Sequence, residues 1–137
     1  MLDINLIREQ PDSVRKSLAD RQDDPSVVDQ ILDLDTEWRS VLAQTETLKA
    51  ERNTVSREIG RMKDPAERQA KIEQMRAVGD QIAQLDEQVR QLESDLQALV
   101  AGVPNIPSPD TPYGVDENEN VVTKTVGEPR KYDFTPQ

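Results

Sequence analysis

Apolar residues recur at helical spacing along most of this chain. Val27, Ile31, Leu34, Trp38, Val41, Leu48, Val55, Ile59 and Met62 follow in steps of about four and three, with Thr45 and Arg52 filling two gaps. That alternation is the a/d seam of a heptad repeat, and it predicts a long helix over 25–62. At 1.5 Å rise per residue the helix is roughly 55 Å long. A second seam, Met75, Val78, Ile82, Leu85, Val89, Leu92, Leu96 and Leu99, predicts another helix over 65–101. Between the two stands Lys63-Asp64-Pro65. Proline disfavours helix at the residue before it. Asp64 is placed to cap the next helix, Pro65 suits its first position, and Glu67 completes a spacing like a capping box. Asp24-Pro25 marks the start of the first long helix in the same way. Gly102, with Pro104 just beyond, is the expected left-handed cap of the second.

A connection this short makes the two helices antiparallel neighbours. Their seams agree on one register. If facing residue numbers sum to about 127, Ile31 meets Leu96, Trp38 meets Val89, Leu42 meets Leu85, Thr45 meets Ile82, Arg52 meets Met75 and Val55 meets Ile72. Apolar meets apolar along almost the whole length, and Trp38 reads as seam packing. The expected fold is all-α, a long antiparallel two-helix coiled-coil hairpin. An intermolecular coiled coil is the alternative.

The flanks differ from the rod. Residues 3–21 carry two short helical patterns; Pro11 opens the second, and Val14 and Leu18, four apart, form its apolar face. With Leu2, Ile4, Leu6 and Ile7 they can cap one end of the hairpin, which makes 1–102 one domain. In 103–137, Pro104, Pro107, Pro109, Pro112, Pro129 and Pro136 exclude a long helix. Val121 to Val126 has β-propensity, so this extended linker holds at most a short strand. Its end, Asp133 to Gln137, reads as a chain interrupted rather than a domain closed off.

Composition removes most chemistry. The chain has 137 residues, 32% charged, 34% hydrophobic and 3% aromatic, a balance that fits a coiled coil better than a compact core. It has no Cys and no His, so it lacks a thiolate nucleophile, a disulfide framework and the commonest general base and zinc ligand. The five glycines are scattered and form no phosphate loop. The acidic pairs Asp23-Asp24 and Asp116-Glu117 lack calcium-loop spacing, and the second reads as a loop feature. No catalytic residue, cofactor site or metal site is expected here. No run approaches the roughly 20 apolar residues of a membrane span, and the N-terminus does not resemble a secretory signal. A soluble, cytoplasmic protein without membrane attachment is expected.

Charge changes the picture at one place. The net charge is −10. Residues 1–48 carry 5 Lys/Arg and 11 Asp/Glu, and residues 77–137 carry 4 and 11. Residues 49–76, around the hairpin turn, carry 8 and 5. Their cations are Lys49, Arg52, Arg57, Arg61, Lys63, Arg68, Lys71 and Arg76, with Arg57 and Arg61 on one helix face. One reading is a phosphate-binding finger. The other is an ordinary solvated surface laced with pairs such as Glu67–Lys71. Arg52 sits at a seam position, where an arginine either carries its head to water or meets RNA directly. No aromatic residue lies near the tip to stack on bases. A rod studded with Arg and Lys therefore suits recognition of folded RNA by backbone and shape.

Short motifs mark both ends of the chain. At the start these are Met1-Leu2-Asp3-Ile4, Ile7-Arg8-Glu9, Pro11 and Val14-Arg15. At the exit they are Val103-Pro104-Asn105-Ile106-Pro107, Gly114, Asp116-Glu117, Asn120-Val121, Gly127-Glu128-Pro129-Arg130 and Asp133-Phe134. Together they resemble the N-terminal domain of seryl-tRNA synthetases, and the resemblance spans essentially the whole chain. One departure is Val126, where the family often has an aromatic residue. The resemblance implies an arm that holds the long variable arm and elbow of serine-specific tRNA. The parent enzyme would use ATP and magnesium to join serine to that tRNA, and would dimerise through a catalytic domain following residue 137. The separate arm is expected to be a monomer. A coiled-coil interaction or scaffold module without RNA binding is the alternative.

Overall fold

The computed structural model describes residues 2–128, 130, 131 and 133. Pro129, Phe134 and Pro136, named above, lie outside the described residues, as do Tyr132 and Gln137. The chain forms two compact units, Met1–Ile106 and Pro107–Gln137.

The first unit is the hairpin and its base. Its elements are α1 (Ile4–Glu9), α2 (Pro11–Asp20), α3 (Val27–Ile59) and α4 (Pro65–Gly102). The long helices α3 and α4 pack against each other within one chain, and α1 and α2 pack at the base. No strand occurs among the described residues, and Val121 to Val126 has no regular secondary structure. Its β-propensity has no neighbouring segment to hydrogen-bond among them.

The turn forms as its residues require. Asp64 accepts hydrogen bonds from the Ala66 and Glu67 N–H groups at 2.7 and 3.3 Å, and Pro65 opens α4. Other helix ends depart from the expectation. Helix α3 begins at Val27, because the Asp24 carboxylate accepts from the Ser26 N–H and hydroxyl and closes a turn ahead of it. It ends at Ile59, and residues through Met62 continue as tighter turns with i→i+3 bonds. Gly102 is not a left-handed cap; it remains helical, and Val103 leaves extended at φ −79°, ψ 121°. Val103 precedes Pro104, which biases it to extended backbone, and its side chain is buried in the base.

Helix α2 ends in a Schellman turn. Asp23 N–H bonds to the Leu18 carbonyl and Gln22 N–H to that of Ala19, with Gln22 at φ 62°.

Burial is uneven along the rod. Leu2, Ile7, Val14, Leu18, Val28, Ile31, Val100 and Val103 form one buried cluster at the base, flanked by Leu96 and Leu99. Midway, Thr45 and Ile82 are buried, and the Thr45 hydroxyl donates to the Val41 carbonyl at 2.8 Å. Beyond them towards the turn no described residue is fully buried, and Ile72 is exposed. Trp38 is half-buried on α3 and lines a cavity of about 410 Å3 with Leu2, Ile4, Arg8, Leu96 and Val100.

Among its described residues the second unit holds a 3₁₀ turn at Glu117–Glu119. Asp116 accepts from the Asn118 N–H at 2.8 Å, and Glu119 accepts from the Val115 N–H at 2.7 Å. A β-carbon on Gly114 would stand 2.7 Å from the β-carbon of Glu119. Gly127 has φ +77°, which favours glycine. Gly114, Asp116 and Gly127 of the exit thus have local structural reasons.

Candidate nucleic-acid interface

The basic residues divide by position. At the base, each has a protein partner. Arg8 grips the buried Asp35 carboxylate with two nitrogens, at 2.5 and 3.0 Å, and Arg39 reaches the same carboxylate at 3.1 Å. Hydrogen bonding to Asp35 raises the Arg8 pKa against the opposing effect of burial. Arg15 pairs with Asp29 and Asp12, Lys16 with Asp20, and Arg21 donates to the Asn105 carbonyl at 2.9 Å. The bond to Asp29, then that to Asp12, raises the Arg15 pKa.

The eight candidate cations near the turn behave differently from these, with one exception. Lys49 forms an ion pair across the hairpin with Asp86 at 2.6 Å and is half-buried. Its charge is matched within the rod, which sets it apart from the other seven. Arg57, Arg61, Lys63, Arg68 and Arg76 are exposed, while Arg52 and Lys71 are half-buried. Among the described residues none of these seven forms an ion pair. The anticipated Glu67–Lys71 pair is not made. Two neighbouring acids are engaged elsewhere: Asp64 caps α4, and Glu73 accepts from Gln69 at 3.1 Å. Arg57 donates to the Asn53 carbonyl of its own helix at 3.2 Å, which holds its stem along α3.

The hairpin brings some of these cations together across its two helices. Arg52 and Lys71 line one groove of about 450 Å3, over Val55, Met75 and Val78. Lys63 and Arg68 line another of about 290 Å3, with Met62 and Ile72. Arg76 lines neither groove. Cations set close together across two helices attract anions by charge. The described residues include no cluster of three or more His, Cys, Asp or Glu that could hold a metal ion. No helix among them is long and apolar enough to cross a membrane.

A family model described as the seryl-tRNA synthetase N-terminal domain matches residues 1–107. The chain belongs to this family. It is similar to the serine–tRNA ligase of Chloroflexus aurantiacus, at 53% identity over 98% of the chain and 32% of that protein. It is also similar to the serine–tRNA ligase of Methanosarcina barkeri, at 40% identity over the whole chain and 33% of the relative. The chain therefore spans about a third of the relatives' length. Among solved structures, the seryl-tRNA synthetase of Pyrococcus horikoshii complexed with ATP matches with TM-score 0.78 and 38% identity, over 88% of the chain and 28% of that protein. The cytoplasmic serine–tRNA ligase of Naegleria fowleri in complex with AMP matches with TM-score 0.78 and 26% identity, over 95% and 29%. The arm of this family is thus the fold seen here, a helical hairpin on a small helical base.

Sequence reasoning passed over Asp35, which is among the most buried side chains. Its signal was available: Asp35 stands seven residues after Val28 and four after the seam residue Ile31, on the side of α3 where α1 packs.

Proposed function

We propose that this chain is the tRNA-binding arm of a serine–tRNA ligase. Its unpaired cations, Arg52, Arg57, Arg61, Lys63, Arg68, Lys71 and Arg76, engage phosphates of the long variable arm and elbow of serine-specific tRNA. The observation that carries this reading is the contrast in pairing: cations at the base have protein partners, and among the described residues these seven form no ion pair. Family membership supports the choice of tRNA as the polyanion. Lys49, matched by Asp86, contributes to the rod rather than to RNA.

The parent enzyme attaches serine to tRNA using ATP, acts in the cytoplasm, and dimerises through its remaining two thirds, to which 103–137 is the linker. ATP and magnesium belong to that remainder. The residues present do not fit either group, since they offer neither a glycine-rich phosphate loop nor a carboxylate cluster.

Phosphate contacts release counterions, so affinity falls steeply with salt. Replacing Arg57 and Arg61 together with Ala flattens the slope of log affinity against log salt by about one unit per lost contact. The measurement is binding of a serine tRNA transcript by the intact protein across a salt series. Identical slopes for wild type and double variant would contradict the reading. A scaffold role predicts no salt-sensitive RNA binding at all.

A further inference from the structure

The chain's exit carries apolar surface that contacts to tRNA leave unused. Of the large hydrophobic side chains exposed among the described residues, all but Ile72 lie in 106–126. Val121, Val122 and Val126 are 63, 78 and 80% exposed, against 36% for Ile72 in the rod. Apolar side chains gathered in this way mark a surface that meets a partner. The run Val121-Val122-Thr123-Lys124-Thr125-Val126 is β-branched at every position but Lys124, and its six residues are an ordinary strand length.

Turns bound this run on both sides. Before it, the 3₁₀ turn closes with the Asn120 N–H on the Glu117 carbonyl at 3.3 Å, and Asn120 itself is extended at φ −61°, ψ 126°. After it, Gly127 redirects the chain with φ +77°. Among the described residues the backbone of 121–126 bonds to no other backbone group. Unused N–H and C=O groups in a β-branched run are what the edge of a sheet can pair with. Charges stand around and within the run, Glu117 and Glu119 before it, Lys124 inside and Glu128 after. Such charges oppose pairing between copies of the same segment.

We propose that 121–126 docks as an added edge strand on a β-sheet in the remaining two thirds of the parent enzyme, so that the connection anchors the arm as well as tethering it. Length and connection choose this occupant. The chain covers only 32 and 33% of the relatives compared, and the run lies between the arm and the part that follows. The inference rests on reading this chain as the arm of a longer ligase. In an edge strand every second residue pairs its N–H and C=O with the sheet, and the residues between them face water. Val122, Lys124 and Val126 then share one face of the strand, and Val121, Thr123 and Thr125 the other.

Amide hydrogen exchange at single-residue resolution on the intact parent enzyme tests this. Within 121–126 three alternate amides exchange at least about a hundredfold slower than in an unstructured peptide, and the three between them exchange fast. The pattern is the same with and without a serine tRNA transcript. Thr123→Pro and Lys124→Pro sharpen the test, because proline is tolerated in an edge strand only where the N–H faces solvent. One of the two abolishes the protection and the other leaves it. Fast exchange at all six amides overturns the docking. Slow exchange at all six, or equal behaviour of the two variants, overturns the edge geometry. Protection that appears only on raising the protein concentration assigns the contact to a second copy and overturns the proposal. An intact alternating pattern in a protein that shows no salt-sensitive tRNA binding upholds the docking and overturns the tip reading alone.

Discussion

The base and the tip of this hairpin are built on opposite principles. At the base, four helices bury a continuous apolar cluster, and charges are matched by protein groups, including one carboxylate held by two arginines. At the tip, two helices meet alone, no seam residue is fully buried, and seven cations stand without ion-pair partners among the described residues. A two-helix seam always leaves half its girth to water, so extra helices are needed wherever burial is to be complete. The chain places them at one end. The other end trades burial for accessible charge, and local opening is expected to be easier there.

The largest effect comes from core truncation. Ile31→Ala, at a fully buried position, lowers unfolding stability by about 3–4 kcal/mol in urea titration, while Ile72→Ala near the turn costs below about 1 kcal/mol. Equal losses would erase the distinction between the two ends. Next is the buried carboxylate. Arg8→Ala leaves Asp35 buried with Arg39 as its remaining partner and costs about 2–4 kcal/mol. Arg15→Ala, which breaks more exposed pairs, costs less. A double-mutant cycle of Arg8 with Asp35 that shows no coupling would refute the first of these.

The smallest effect is a pH dependence. Hydrogen bonds from the Ser26 hydroxyl and N–H hold the Asp24 carboxyl below its usual range. A depressed folded pKa stabilises the fold above the unfolded value, near pH ~4, and that contribution is lost as pH falls further. Asp24→Asn flattens the acid limb of the stability curve slightly and leaves the neutral region's pH slope unchanged. A larger slope change near neutrality than in acid would contradict the assignment to Asp24.

Much of the fold was legible because seam spacing is a direct record of helix packing. Two seams agreeing on one register, with Asp64-Pro65 between them, specify a hairpin. Helix ends were less legible, because tertiary demands outweigh local preference. Gly102 stays helical since Val103 must enter the base, and Gln22 takes the left-handed cap that glycine usually fills. The candidate interface was legible as an excess of charge, but its state of pairing was not. Glu67 and Lys71 have the spacing of a pair, and so do Asp64 and Arg68, yet Asp64 serves the α4 N-terminus instead. Spacing permits a pair; competing hydrogen bonds decide whether it forms.

Amide hydrogen exchange, with and without a serine tRNA transcript, addresses the division of labour directly. In the free protein, protection should be highest in α3 near Val28 to Asp35 and should fall towards Ile59. On adding the transcript, amides between Arg52 and Arg76 should slow and those of the base should not change. Slowing confined to the base, or no change at the tip under saturating tRNA, would contradict the account.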